Sequence, residues 1–540
     1  MRYQKGVALA VFSVSLLASP YGAQAASAVP EPGIKLPTVD SGAKLSGTDA
    51  VSKVSGQTGE FYLHKIVVET GEVSFKEADI EAITQPYTKQ TTNMAKLNAM
   101  TEEITRYLHR HGYPAATAYI PEQEIIRSTL QVRIMPGKLG KVNINNKSAL
   151  SDKVVTRLLQ GLRPGDKITS KKMETALYNI NDLAGVTAAG LLSPGADVGS
   201  SDLTVTIKDG DRAQTLLYAE NYGNRNTGRY RYGLQETLSN LSRHGDMLRI
   251  GTLISNKDLR NYYAGYETNV GRSGSTVGIS LSHMNYETGW EALGMNGKAD
   301  TISLYGKTPL FHTARHFLAV TYGYDYRRLR DEISRAGWDS ERHSHAVHVG
   351  LTGLERKQGS ALGYDITVTQ GTLGLDSDHA RILNALSHFS GAFTKLNWRL
   401  NAVQDLGHRF DVLIKAQGQF ANKNLDNSER MYLGGAQGVR AYPQGEGSGD
   451  QGVMGTVELR YHTKLPGLSL SMYLDGGEVK QQKEVAGSTS LTGWGVGVTY
   501  SRPNDWFARF DYARRIGGPD NLGQDAKAKG RMWFIAGKIF

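Results

Sequence analysis

From Arg212 to Phe540 the chain alternates apolar and polar residues with a period of two, and no other feature restricts its fold as much. Leu318, Val320, Tyr322, Tyr324 and Tyr326 fall on one side of an extended segment, and Ala319, Thr321, Gly323 and Asp325 on the other. Val453, Val457, Leu459 and Tyr461 oppose Thr456, Glu458 and Arg460. Trp494, Val496, Val498 and Tyr500 oppose Gly493, Gly495, Gly497 and Thr499, and Trp506, Ala508, Phe510 and Tyr512 oppose Arg509 and Asp511. Successive side chains of a strand point to opposite faces, so each set lines one face of a sheet. The segments run about ten residues with aromatic residues near their ends, the pattern of a transmembrane barrel. A bilayer core offers no hydrogen bonds, so a sheet within it must close on itself. About sixteen such segments fit between 213 and 540, an even number, as bacterial barrels require. Two soluble β-sandwiches are the competing reading. An unbroken run of alternation without a second change of composition favours one closed barrel. The last strand, Arg531 to Phe540, ends on an aromatic residue. Lys538 interrupts its apolar even-numbered face, which places Lys538 at the membrane interface, where the amine can snorkel to water.

The rest of the composition agrees. With 62 Gly and 27 Tyr against 15 Pro in 540 residues, the chain suits a large β structure better than a helical enzyme. It has 0 Cys, which excludes a disulfide scaffold, a Cys-ligated metal and a thiol nucleophile. Beyond the N-terminus no apolar run approaches the roughly 18 residues of a spanning helix. Residues 1–25 read as a secretory signal peptide: Arg2 and Lys5, then the apolar run Val7 to Leu17, then Ala23-Gln24-Ala25 as the small-residue cleavage pattern. An exported chain has no access to ATP or NAD, so nucleotide chemistry is not expected. Residues 26–59, with Pro30, Pro32, Pro37 and a Gly/Ser/Lys mixture, read as a linker or loosely tethered arm.

Two small α/β units precede the barrel. In residues 60–136, Phe61 to Glu69 reads as one strand and Lys76 to Ile83 as a helix. Leu97, Met100, Ile104, Tyr107 and Leu108 form the apolar stripe of a second helix, which Gly112-Tyr113-Pro114 ends. Ala116 to Ile120 and Thr129 to Met135 complete the unit as strands. Residues 137–210 repeat the order: strand Gly140 to Ile144, helix Lys153 to Leu159, a helix capped by Ser170 and running to about Leu183, and strands Val186 to Leu191 and Leu203 to Ile207.

One stretch breaks the barrel's alternation: Met431 to Pro443, within a connection of about 30 residues between strands Arg409 to Phe420 and Val453 to His462. That is long for a hairpin. It carries Arg440 beside glycines and Tyr442. A later strand holds Tyr473-Leu474-Asp475-Gly476-Gly477, with Asp475 sharing a face with Tyr473 and Gly477. A carboxylate facing a lumen can hold an arginine in a bidentate pair and pin the loop inside the pore. By chemistry alone a solvated loop arginine is equally tenable.

With the export peptide, the tandem α/β units, the barrel, Val439-Arg440-Ala441-Tyr442 and the Tyr473-x-Asp475-x-Gly477 pattern, the chain resembles the two-partner secretion transporters (TpsB). These are the haemolysin and haemagglutinin secretion/activation proteins, within the superfamily of POTRA-bearing outer-membrane barrels. The resemblance implies POTRA domains at 60–136 and 137–210 in the periplasm and a Gram-negative outer-membrane barrel at 211–540 with a lumen loop at 422–452. It maps the loop motif onto Val439, Arg440, Ala441 and Tyr442, and the barrel-wall partner motif onto Tyr473, Asp475 and Gly477. It implies a secreted exoprotein as partner (an adhesin, a haemolysin or similar), contact with outer-membrane lipid, and insertion by the barrel-assembly machinery. Translocation would run without ATP, and some members place a plug helix where residues 30–55 lie. The family loop usually has Gly where this chain has Ala441, and a Cβ there disfavours positive φ. A barrel-assembly factor of the same superfamily is the alternative; such factors usually carry more POTRA units.

Other motifs carry no chemistry. Gly306-Lys307-Thr308 lacks the upstream Gly of a phosphate loop, since position 301 is Thr. Gly445-Glu446-Gly447-Ser448-Gly449 is not a nucleophile elbow. His343 and His345 share a strand face that His348 does not, and read as lumen or loop histidines without an acidic partner rather than a metal site. No catalytic, cofactor or metal site and no nucleic-acid partner are expected. The net charge of +10 is scattered rather than striped and suits a basic barrel interior or anionic headgroups.

Overall fold

The computed structural model describes residues 60–287, 294–483, 487–518 and 528–540, together with the backbone of Leu45–Gly47. The signal peptide expected at 1–25 and the remainder of the linker or arm expected at 26–59 lie outside the described residues. Among the described residues sixteen antiparallel strands close one barrel. Its first half is β1 (Ala213–Glu220), β2 (Arg231–Ser239), β3 (Met247–Ser255), β4 (Arg260–Val270), β5 (Ser275–Glu287), β6 (Met295–His312), β7 (His316–Ile333) and β8 (Trp338–Lys357). Its second half is β9 (Ser360–Leu375), β10 (Gly391–Gly407), β11 (Phe410–Ala421), β12 (Gln451–His462), β13 (Leu468–Lys480), β14 (Ser488–Ser501), β15 (Trp506–Arg515) and β16 (Gly530–Ile539). Each pairs with its neighbour in sequence. β16 returns to β1 from Leu216 opposite Ile539 to Glu220 opposite Ile535.

The two faces of each strand differ as the alternation requires. Along β8, Ser340, Arg342, Ser344 and His348 are buried toward the interior, while Val347 and Val349 are 55% and 54% exposed on the outside. Exposed apolar side chains recur outward on other strands, such as Ile279 and Leu281 of β5, Ile366 and Val368 of β9, and Val496 and Val498 of β14. A band this extensive would drive association in water; in a bilayer it meets lipid. Lys538 lies at the end of β16 with its amine 5.3 Å from the Trp506 ring centroid and 4.7 Å from that of Phe540, an aromatic interface site. His343 and His345 stand on the outward face rather than in the lumen, and His343 Nδ1 lies 2.8 Å from Asp376, an acidic partner that the sequence reading did not supply. Strand alternation sets the face, and residues 343 and 345 have the parity of lipid-facing Val347.

The α/β units attach at the rim with the short connections, such as 271–274, 313–315 and 358–359. The first unit packs α1 (Glu77–Thr84) and α2 (Met94–Arg110) on a sheet in which 65–69 runs parallel to 129–135, which pairs with 117–119. Leu97, Met100, Ile104 and Leu108 of α2 are fully buried, each contributing about 1.5–3 kcal/mol. The single strand expected over Phe61 to Glu69 is broken at His64. Residues 61–63 pair with 90–92 and residues 65–69 with 129–135. The break falls where the His64 and Lys65 amides both donate to Ser128 O (2.8 and 3.2 Å) and the chain changes partner.

The second unit sets α3 (Asp152–Leu159) and α4 (Ser170–Asn181) on strands 138–147, 200–209 and 186–194. The cap of α4 is Thr169 rather than Ser170. Thr169 keeps an extended backbone and its hydroxyl accepts the Lys172 amide at 3.4 Å, whereas Ser170 is already helical. Leu45–Gly47 adds a parallel strand to the outer edge of Val186–Pro194. This unit docks on the barrel rim. Arg157 donates to Asn269 Oδ1 (2.7 Å), Glu174 accepts the Ala314 amide (2.9 Å), and Asp182 meets His312 (2.9 Å) beneath its stack on Tyr178. A helix that alternation did not announce, α5 (Asp378–Ser387), occupies the opposite rim. Ser377 caps it, and it leaves Ile382 and Leu386 exposed.

Candidate functional site

The connection from β11 to β12, residues 422–450, folds back into the barrel. Short strands Met431–Tyr432 and Ser448–Gly449 pair at its base. Above them the Leu433 and Gly434 amides donate to Gly447 O (2.9 Å) and Glu446 O (2.8 Å), and Val439 N donates to Leu433 O (2.7 Å). The reversal needs glycine: Gly435 sits at φ +133°, a region L side chains rarely adopt. Leu433, Val439 and Tyr442 are then fully buried against Val479, Leu491 and Ala513 of the wall.

This packing delivers Arg440 to a set of wall carboxylates. Its Nε donates to Asp475 Oδ2 (2.9 Å), its NH2 to Asp475 Oδ1 (2.8 Å), and its backbone amide to Asp475 Oδ2 (3.1 Å). Its NH1 reaches Glu458 at 3.1 Å and Asp511 at 3.3 Å. The guanidinium lies over the Tyr473 ring, 3.1 Å from the centroid, and the Arg440 carbonyl accepts the Trp533 indole N–H at 2.7 Å. Thr456 donates to Asp475 Oδ1 (2.9 Å), while Arg509 joins Asp511 (2.7 Å) and Glu458 (3.1 Å). Arg440 and Asp475 side chains are 6% and 1% exposed, so this is a desolvated ionic cluster.

The remaining motif positions shape the space around it. A Cβ on Gly477 would come within 2.7 Å of Met454 Cβ and 2.8 Å of Leu433 Cδ2, so glycine leaves room for the loop. The Tyr473 ring occupies the place a Cβ on Gly495 would take. Tyr442 lies under Arg515, with its ring centroid 4.7 Å from the guanidinium carbon. Ala441 takes no positive φ, so its Cβ brings no backbone strain. It packs instead against Gly493, where an added Cβ would fall 2.5 Å from Ala441 Cβ.

The sequence motifs assign Asp475 and Tyr473 to the site but not Glu458, Arg509, Asp511 or Trp533. A signal for three of them was present, because Glu458, Arg509 and Asp511 are charged residues on strand faces opposite the lipid-facing apolar sets. Through these ion pairs Arg440 ties the loop to three strands of the barrel wall.

The model of the haemolysin secretion/activation protein family (ShlB/FhaC/HecB) matches residues 199–500, and that of the ShlB-type POTRA domain matches residues 61–137. The heme/hemopexin transporter protein HuxB of Haemophilus influenzae (strain 86-028NP) is 27% identical over 480 residues, 86% of this chain and 84% of that protein. The outer membrane transporter CdiB of Dickeya dadantii is 23% identical over 452 residues, 80% of this chain and 79% of that protein. In fold, CdiB from Escherichia coli matches with a TM-score of 0.70 at 22% identity over 91% of this chain and 93% of that one. BamA from Haemophilus ducreyi lacking POTRA domains 1–3 matches with a TM-score of 0.51 at 13% identity, over 89% of this chain and all of that one. The chain therefore belongs to the haemolysin secretion/activation protein family, the outer-membrane transporters of two-partner secretion, with its barrel in the Gram-negative outer membrane and its POTRA domains in the periplasm.

Proposed function

We propose that this chain exports one dedicated, unfolded exoprotein through its barrel without ATP, with the loop at 422–452 as the gate. Residues 1–25 direct export and are removed, and residues 26–59 form an arm ahead of POTRA domains at 60–136 and 137–210 and the barrel at 211–540. The POTRA domains capture an extended segment of the exoprotein by strand addition. The parallel strand on the edge of Val186–Pro194 supports this, because that edge accepts an extended segment. Val439, Arg440, Ala441 and Tyr442 hold the gate shut against Tyr473, Asp475 and Gly477, and folding of the cargo outside draws it through. No catalytic step is involved. The barrel meets lipid directly and is inserted by the assembly machinery.

The observation that carries this reading is the lumen itself, spanned by a loop held through ion pairs rather than filled by an apolar core. The greater identity to the heme/hemopexin transporter than to CdiB, 27% against 23%, makes an exoprotein concerned with haem the first cargo to seek. Deletion of the gene tests the proposal. Loss of one protein from the medium with normal porin levels supports it, and a general porin defect overturns it in favour of barrel assembly.

A further inference from the structure

The tip cluster does not explain how the other end of the loop is held. Between Ala421 and the base strand at Met431 the chain forms a short turn at Asn427–Glu429 capped by Asp426, and the carboxylates of Asp426 and Glu429 point at a different arc of the wall. Asp426 is 2% exposed and accepts Arg342 NH1 of β8 at 2.5 Å. Glu429 is 3% exposed and is bound twice, by Arg327 NH1 of β7 and by Lys395 Nζ of β10, each at 2.6 Å. Asp331 of β7 holds the other side of Arg342 and accepts the Tyr286 hydroxyl at 2.6 Å. Backbone contacts finish the site, since Gln419 Nε2 of β11 donates to Glu429 O at 2.9 Å and to Asp450 O at 3.1 Å.

The polarity is the reverse of the tip. There a loop cation enters wall carboxylates on β12, β13 and β15; here loop carboxylates enter wall cations on β7, β8 and β10. Three carboxylates, Asp426, Glu429 and Asp331, face three cations, Arg327, Arg342 and Lys395, so the set is neutral only with the loop in place. With the loop gone, the wall keeps three cations and one carboxylate. A buried uncompensated charge is strongly unfavourable until water reaches it. Both latches therefore add to the free energy that keeps the loop in place, so weakening either one eases opening, and opposite signs disfavour either end docking at the other's place.

We infer that Arg327, Arg342 and Lys395 are positioning residues of a second latch, which grips the loop through Asp426 and Glu429 and must be broken, together with the Arg440 cluster, for the pore to open. The inference rests on reading the loop as the gate. It predicts pore opening from substitutions that leave every residue of the tip cluster untouched.

The test is ion current carried by KCl through the purified full-length protein in planar bilayers. Asp426→Arg should raise the frequency of open events at least about tenfold, the change given by losing about 1.4 kcal/mol of attraction. Asp426→Arg combined with Arg342→Asp should return it toward the unaltered value, because the pair is restored with its signs exchanged. Glu429→Gln, nearly isosteric, should raise it less, and carries the test if the reversal prevents a heat-modifiable barrel from forming. Unchanged current in both single variants overturns the second latch, as does a double variant that stays as open as Asp426→Arg. Asp475→Arg is the control: if it too leaves the current unchanged, the gate reading itself fails. If it alone opens the pore, only the second latch fails.

Discussion

Reversal of Asp475 to Arg is the most demanding perturbation of the tip cluster. Arg440 and Asp475 meet through side-chain hydrogen bonds of 2.8 and 2.9 Å. Their charge centres then lie about 4 Å apart, which at an effective dielectric constant of about 20 corresponds to about 4 kcal/mol of attraction. Reversal turns that into repulsion of similar size, a swing of about 8 kcal/mol before relaxation. Glu458 at 3.1 Å and Asp511 at 3.3 Å keep part of their hold on Arg440. About 5.5 kcal/mol suffices to move a two-state equilibrium from 1:99 to 99:1, so the reversed variant should have its loop tip displaced in nearly every molecule. Asp475→Asn removes attraction without adding repulsion, and should leave a mixed population. The assay is export of the exoprotein to the medium, with barrel folding followed by heat-modifiability on a gel and gating by bilayer current. Export should fall severely in the reversed variant and partly in the Asn variant, with folded barrel in both. Normal export by a folded Asp475→Arg barrel would refute the role given to this contact.

Three further outcomes follow from other parts of the molecule. Gly493→Ala places a Cβ 2.5 Å from Ala441 Cβ and should cost about 1–3 kcal/mol of loop docking, with export restored by adding Ala441→Gly; lack of rescue would show that the two positions do not share this space. Ile104→Ala, at a fully buried position of α2, should destabilise the first POTRA domain by about 2–5 kcal/mol, which appears as protease sensitivity before the barrel and loss of export with an unchanged barrel melt. Asp246 belongs to the turn that carries Arg243 against Ala149 O (3.0 Å) and the Ser151 amide (2.9 Å). Burial alone would push its carboxyl up, but the Ser242 hydroxyl and the Ser242 and His244 amides outweigh it and hold it below the usual carboxylate range. Its ionised form therefore stabilises the junction above about pH 4, and that stabilisation is lost as pH falls through the lowered folded value. Proteolysis between the POTRA domains and the barrel should accelerate with acid in the unaltered protein, and Asp246→Asn should be cleaved readily at neutral pH as well.

How much of this was legible in the sequence depends on which physical constraint acted on each segment. The lipid-facing strands were readable because one environment forces one polarity on every second residue, as Val496, Val498 and Tyr500 of β14 illustrate. The stripe of α2 was readable for the same reason at helical spacing. The break at His64 was not, since period two survives a change of pairing partner and says nothing of which strand lies alongside. Helix α5 escaped because it sits on a rim with Ile382 and Leu386 outward, so no buried stripe marks it. Arg440 could be singled out as one cation in a glycine-rich break. Its neighbours Glu458 and Asp511 lie 18 and 71 residues away, on strands whose register no local pattern specifies. Asp426 and Glu429 escaped altogether, because two acidic residues in a loop are ordinarily solvated.

The use of charge to hold the loop bears on how the pore can open at all. The buried apolar set of Leu433, Val439 and Tyr442 against Val479 and Leu491 alone would make a plug, and withdrawing it would return apolar surface to water at about 25 cal/mol per Å² with nothing in exchange. Ion pairs behave differently: their attraction is largely offset by the cost of taking both partners out of water. When the loop leaves a lumen that then fills with water, Asp475, Glu458, Asp511 and the three wall cations regain hydration, so most of that cost is recovered. The net penalty of opening is thus smaller than the number of contacts suggests, and it is shared between what remains of the ion-pair attraction and the small apolar patch. A polypeptide entering the lumen need supply only that difference. On the proposed gating, the same reasoning gives a use to fixed charges of opposite sign on two arcs of the wall, since a loop that detaches easily must also find its own place again when the cargo has passed.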